Sequence, residues 1–124
     1  AAREENRLRL FGLLKSRGVK HDAENIIAVR EKGNSIVFLE RGSDKAGYKH
    51  VLKHLPEFKQ QGIASATLPN VIMNALSQAE IVGEQGGKGR PKRPVYRLGL
   101  FDVAITVGNN GFIVGANPTS QFKK

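Results

Sequence analysis

Three features of this sequence predict an α+β fold. Apolar residues recur at helical spacing near the N-terminus and in the middle of the chain. Short β-type runs closed by glycine or proline follow Ser77, and an Asn-Gly pair joins the last two of them. Helices followed by a strand meander belong to the α+β class. The expected architecture is an N-terminal helix and β-hairpin, with two central helices packed on a four-stranded antiparallel sheet.

Residues 3–17 place Leu8, Leu10, Phe11, Leu13 and Leu14 at helical spacing, with charged residues before them and Gly18 after. Such a helix is either a cap on the domain or the tail of a linker. Residues 1–22 are therefore read as an N-terminal helical uptake or linker segment, and 23–124 as the functional domain. Ile26–Val29 and Ile36–Leu39 flank Arg30–Ser35, in which Gly33 and Asn34 accept positive φ, and together they read as a hairpin. Ser43-Asp44 offers an N-cap for a helix from about Lys45 to Leu55, which Pro56 interrupts or restarts. A second helix is expected from near Thr67, with Pro69 in its first turn and Leu68, Val71, Ile72, Ala75 and Leu76 as the buried stripe. Strands follow at Glu80–Gly83, Val95–Leu98, Asp102–Val107 and Phe112–Ala116, the last two joined through Gly108-Asn109-Asn110-Gly111.

Charge narrows the class of partner. Twenty lysines and arginines oppose 11 acidic residues, a net charge of +9, so a polyanion is expected, with nucleic acid ahead of an acidic protein or an anionic surface. The densest positive stretch is Lys88-Gly89-Arg90-Pro91-Lys92-Arg93-Pro94, where glycine and proline oppose regular structure and Lys88, Arg90, Lys92 and Arg93 suit phosphate contacts. It is not a phosphate-cradling Walker loop, since Gly89 follows Lys88 where serine or threonine is required. Cysteine is absent, which excludes a disulfide framework, thiolate metal ligands and a cysteine nucleophile. No apolar run has the length of a membrane span, and no membrane association is expected of the folded domain.

The titratable groups point to one kind of chemistry. His50 and His54 stand four apart on the predicted helix, among Lys49 and Lys53 and away from Tyr48, Val51, Leu52 and Leu55. Cleavage of RNA without a metal needs a base for the 2′-hydroxyl, an acid for the departing 5′-oxygen and cations or donors around the phosphorane. Imidazoles suit both proton steps near neutral pH. A zinc site is not expected, because no glutamate follows His50 in His50-Val51-Leu52-Lys53-His54. On the predicted sheet, Tyr96, Arg97, Thr106 and Asn117 join the candidates if that sheet faces the histidine helix.

Two segments carry a family likeness: Phe38-Leu39-Glu40-Arg41-Gly42 leading into Ala46-Gly47-Tyr48-Lys49-His50-Val51-Leu52-Lys53-His54, and Asn110-Gly111-Phe112-Ile113-Val114-Gly115-Ala116-Asn117-Pro118. In this order and spacing the chain resembles the barnase, EndoU, colicin E5/D and RelE-like superfamily of ribonucleases, over about Glu24 to Ser120. It is most similar to C-terminal toxin domains of contact-dependent growth inhibition proteins and phage polymorphic toxins. The resemblance implies metal-independent, cofactor-free cutting of RNA, often transfer RNA, to a 2′,3′-cyclic phosphate. It carries the catalytic positions onto His50, His54, Tyr96, Thr106 and Asn117. The clustered positive charge adds Lys49, Lys53, Lys88, Arg90, Lys92, Arg93 and Arg97 as expected RNA contacts. It also implies secretion as the tail of a longer protein, delivery to a target bacterium's cytoplasm, an acidic immunity protein as partner and a monomer in its absence. The alternative reading is a non-enzymatic basic RNA-binding module.

Overall fold

The computed structural model describes residues 2–85, 93–99 and 101–119. Helix α1 (Ala2–Ser16) leads into a hairpin of β1 (Ile26–Lys32) and β2 (Ser35–Glu40). The short helix α2 (Tyr48–Val51) continues as a 3-10 turn (Leu52–His54) into α3 (Leu55–Gln60), and α4 (Leu68–Gln78) follows. Strands β3 (Ile81–Gln85), β4 (Arg93–Leu98), β5 (Phe101–Val107) and β6 (Ile113–Thr119) form an antiparallel meander in sequence order. The α+β class and this arrangement are as the sequence predicts.

Strand β2 is the partition of the molecule. Ile36, Val37, Phe38 and Leu39 are all buried, and alternation sends Val37 and Leu39 to one side and Ile36 and Phe38 to the other. The larger core lies between the hairpin, α4 and one face of the four-stranded sheet. Leu68, Ile72, Met73, Ala75 and Leu76 of α4 meet Tyr96, Val103, Ile105, Ile113 and Ala116 there. The smaller core is closed by α1, whose Leu10 and Leu14 pack with Ile26, Ile36 and Phe38. Residues 2–16 thus cover the hairpin rather than standing apart from it, with Leu8 turned outward.

Two local departures from expectation have physical causes. The hairpin strands extend to Lys32 and Ser35 and are joined by Gly33-Asn34 alone, with Gly33 at φ 59°. The central helix starts at Tyr48 and not at Lys45, because residues 41–47 fold back on themselves. A Cβ on Gly42 would lie 2.1 Å from the Ala46 carbonyl oxygen, and one on Gly47 would lie 2.8 Å from the Gly42 Cα. Ser43 accordingly serves that turn, its hydroxyl accepting from the Lys45 amide, and caps no helix. Pro56 then falls in the first turn of α3, where its missing N–H costs nothing, so the helix restarts and runs on to Gln60.

The segment Gly108–Gly111 joins β5 to β6, as the Asn-Gly signal predicts, but Gly111 is also needed for close approach. A Cβ there would lie 2.0 Å from the Ile36 carbonyl oxygen, and the Phe38 amide donates to the Gly111 carbonyl at 2.9 Å. This stitch fastens the hairpin to the start of β6.

Candidate active site

Alternation along β4, β5 and β6 gives the sheet two faces of different chemistry. Tyr96, Val103, Ile105 and Ala116 point into the larger core. The opposite face carries Arg93, Val95 and Arg97 from β4, Asp102, Ala104 and Thr106 from β5, and Gly115, Asn117 and Thr119 from β6. Thr106 pairs with Gly115, and continuing the β4–β5 register from Val95–Ala104 by two residues sets Arg93 opposite Thr106. Gln85 pairs with Arg93. One row across the sheet therefore reads Gln85, Arg93, Thr106, Gly115.

This face is concave. Gln85 and Asn117 belong to the two outer strands, which in a flat sheet lie about 14 Å apart. Their side chains nevertheless meet, the Asn117 amide nitrogen donating to Gln85 Oε1 at 3.4 Å. Arg93 Nη1 donates to Asn117 Oδ1 at 2.9 Å, so one Asn117 amide is held from both sides in a fixed sense. Val95 and Ala104 are fully buried yet belong to neither core, and they form the apolar floor of this face.

Helix α2 runs at the outer edge of β6, tied by the Gly47 amide to the Val114 carbonyl at 2.9 Å. From that position Val51 enters the larger core, while His50 rests against Gly115. A Cβ on Gly115 would lie 2.9 Å from His50 Cδ2 and 3.3 Å from Nε2, so the imidazole occupies the space a side chain would fill. Its other nitrogen, Nδ1, donates to the Asp44 carbonyl oxygen at 2.8 Å. A carbonyl can only accept, which puts the hydrogen on Nδ1 and, in the neutral ring, the lone pair on Nε2. The turn built by Gly42 and Gly47 thus sets the tautomer of His50 and directs its basic nitrogen to the polar row. Tyr48 anchors the same helix, donating to the Ser65 carbonyl at 3.0 Å, and burial raises its phenol pKa above the ordinary value.

Of the residues predicted from sequence, His50, Thr106, Asn117 and Arg93 come together here. His54 does not share their partners. The 3-10 turn after Val51 changes the angular step, and His54 Nδ1 pairs with Glu57 on α3 at 3.0 Å. Tyr96 lies on the opposite face, its hydroxyl accepting from Lys32 at 3.0 Å. Arg97 shares the concave face, but its guanidinium is engaged by the buried Asp102 at 3.0 Å and 3.2 Å, and that hydrogen bonding raises its pKa further. Lys49 and Lys53 are exposed, and Lys88, Arg90 and Lys92 lie outside the described residues. Sequence reasoning did not single out Gly115, Gln85 or the Asp44 carbonyl. Only Gly115 had a usable signal, since an internal strand glycine marks a bulge or a close approach.

The assembled groups are a proton acceptor of fixed tautomer, a hydroxyl, a carboxamide and a guanidinium, over a dry floor. Arg93 is held by a neutral partner, so its charge is not cancelled by that contact. Such a set can take a proton from a hydroxyl and bind the anion that forms beside it. Among the described residues no cluster of histidine and carboxylate groups has the make-up of a metal centre, and no helix is long and apolar enough to cross a membrane. Compared with known proteins, the chain matches no protein-family model and no curated protein significantly.

Proposed function

We propose that this domain is a metal-independent endoribonuclease, with transfer RNA as the substrate class, and that the concave sheet face is its active site. The observation that carries the reading is the pinned imidazole: His50 presents Nε2 as a base at Gly115, the strand partner of Thr106, in the same row as the Asn117-bound Arg93 two strands away. In this reading His50 removes the proton of a ribose 2′-hydroxyl. The oxygen attacks the adjoining phosphorus, the bond to the 5′-oxygen breaks, and the departing oxygen takes a proton from water. The products are a 2′,3′-cyclic phosphate and a 5′-hydroxyl. Arg93 and Thr106 bear the charge that grows on the phosphorane oxygens, and a preorganised donor at such a position is worth about 3 kcal/mol of barrier.

The net charge of +9 supports a polyanionic substrate. The family likeness extends the proposal to biology: a toxin carried as the C-terminal part of a secreted protein, acting in the cytoplasm of a target bacterium. In the producing cell an acidic immunity protein would cover the positive face, and opposite charge would speed their encounter.

The test is incubation of the domain with total bacterial RNA in excess EDTA, with end-group analysis of the products. Discrete fragments ending in cyclic phosphates are expected. RNA that is bound but stays intact, with and without added cell extract, would replace this reading with that of a basic RNA-binding module.

A further inference from the structure

The polar groups on the other side of the sheet are not used by this chemistry. A cleft of about 480 Å³ opens there, between the end of α1, the hairpin and the β5–β6 turn. Its wall carries Arg17, Lys32, Asn109 and Asn110, with the half-buried Pro94 as its ring surface and the buried Tyr96 behind it. No carboxylate lines it among the described residues, so two cations face it without an acidic counterpart. Lys32 stands 5.1 Å from the centre of the Tyr96 ring and donates to the Tyr96 hydroxyl at 3.0 Å, which spends one of its three donors and fixes the ammonium at the rim. Arg17 is held from one side by the Asn34 carbonyl at 2.9 Å and has further N–H groups to offer.

We infer that this cleft is a nucleotide-binding subsite, taking a phosphate on Lys32 and Arg17 and a base against Pro94, with the Asn109 amide and the Asn110 amide nitrogen reading the base edge. The inference rests on the ribonuclease reading. Continuity with the active site comes from the strand itself. Arg93 and Pro94 are consecutive in β4 and project to opposite faces, Arg93 to the concave face and Pro94 to the cleft. Both stand at the end of the sheet where Val107 leads into the β5–β6 turn. An RNA strand cut at the concave face can bend over that end and seat a neighbouring nucleotide in the cleft. Volume, an apolar ring surface and paired cations suit one nucleotide, and side-chain amides are the groups that discriminate base edges in unstacked RNA.

The experiment is a titration of the isotope-labelled domain with each of the four nucleoside 3′-monophosphates, and with inorganic phosphate, followed by amide resonances. Saturable shifts at Lys32, Asn34 and Asn109–Gly111 are expected for at least one nucleotide and persist in His50→Ala. Lys32→Gln and, separately, Arg17→Gln weaken them about tenfold, the size of one charge-assisted hydrogen bond, with the remaining resonances in place. Inorganic phosphate giving the same affinity would overturn the nucleotide claim, as would shifts confined to the His50 face. RNA cleavage is measured on the same sample. Cutting without binding in the cleft overturns the subsite alone, whereas binding in the cleft without cutting overturns the ribonuclease reading alone.

Discussion

At the scale of single residues, the contact that makes the site is between His50 and a side chain that is missing. Gly115 leaves the space in which the imidazole rests, and Asp44 fixes its proton through a main-chain oxygen. Gly115→Ala would put a methyl group 2.9 Å from His50 Cδ2. The obstructed atom belongs to a side chain, so the ring swings aside and the backbone does not have to move. Cleavage is expected to fall about a hundredfold, the scale of an ångström of misplacement, while stability measured by thermal unfolding changes by about 1 kcal/mol or less. Unimpaired cleavage in that variant would remove Gly115 from the account. His50 was legible in the sequence as a histidine on the polar side of a helix. Its partners were not, because a carbonyl oxygen carries no side-chain signature and a strand glycine does not say what approaches it. Tyr96 illustrates the converse limit. A tyrosine in a strand reads the same on either face, and only the pairing register puts it with Val103 on the side away from Thr106.

At the scale of elements, α1 and the segment from Ser43 to Gln60 were read with unequal success, for one reason. Periodicity finds a helix and its apolar residues, but not the tertiary surface against which it ends. The helix at the N-terminus was legible from its leucines, and so was α4 from Thr67, Pro69 and its apolar stripe. That Leu10 and Leu14 close a separate core over Phe38 was not, because the partner strand β2 is buried on both faces and its four consecutive apolar residues show no alternation. Leu10→Ala is expected to cost about 3 kcal/mol of stability in denaturant unfolding, as for a fully buried leucine, and to leave cleavage intact at temperatures where the domain stays folded. A cost near zero would mean that α1 is not seated on the hairpin in solution. The late start of α2 follows from backbone packing of Gly42 on Gly47, and two glycines five residues apart announce a turn without saying that it replaces a helical one.

At the scale of the whole molecule, the positive charge is the broadest feature and the least local. It was fully legible, whereas its distribution was not: Arg97 is engaged by Asp102, and Arg93 is the cation drawn to Asn117. A long-range attraction of this kind is screened by salt. RNA affinity is expected to drop by about tenfold or more between about 50 and 200 mM salt, with a linear dependence of log affinity on log salt, and a flat response would contradict an electrostatic mode of binding. The curl of the sheet, which brings Gln85 to Asn117, is likewise a property of the assembled fold that no single segment encodes. Together these features reduce to one claim, that His50 on this concave face is the base that starts RNA cleavage. The measurement that tests it most directly is the cleavage rate of His50→Ala in excess EDTA against that of the unaltered domain, with circular dichroism and melting temperature recorded for both. The expected result is a loss of about a thousandfold, within the range for removing a general base, with fold and melting temperature retained. An undiminished rate in a folded His50→Ala domain would contradict the account at its centre.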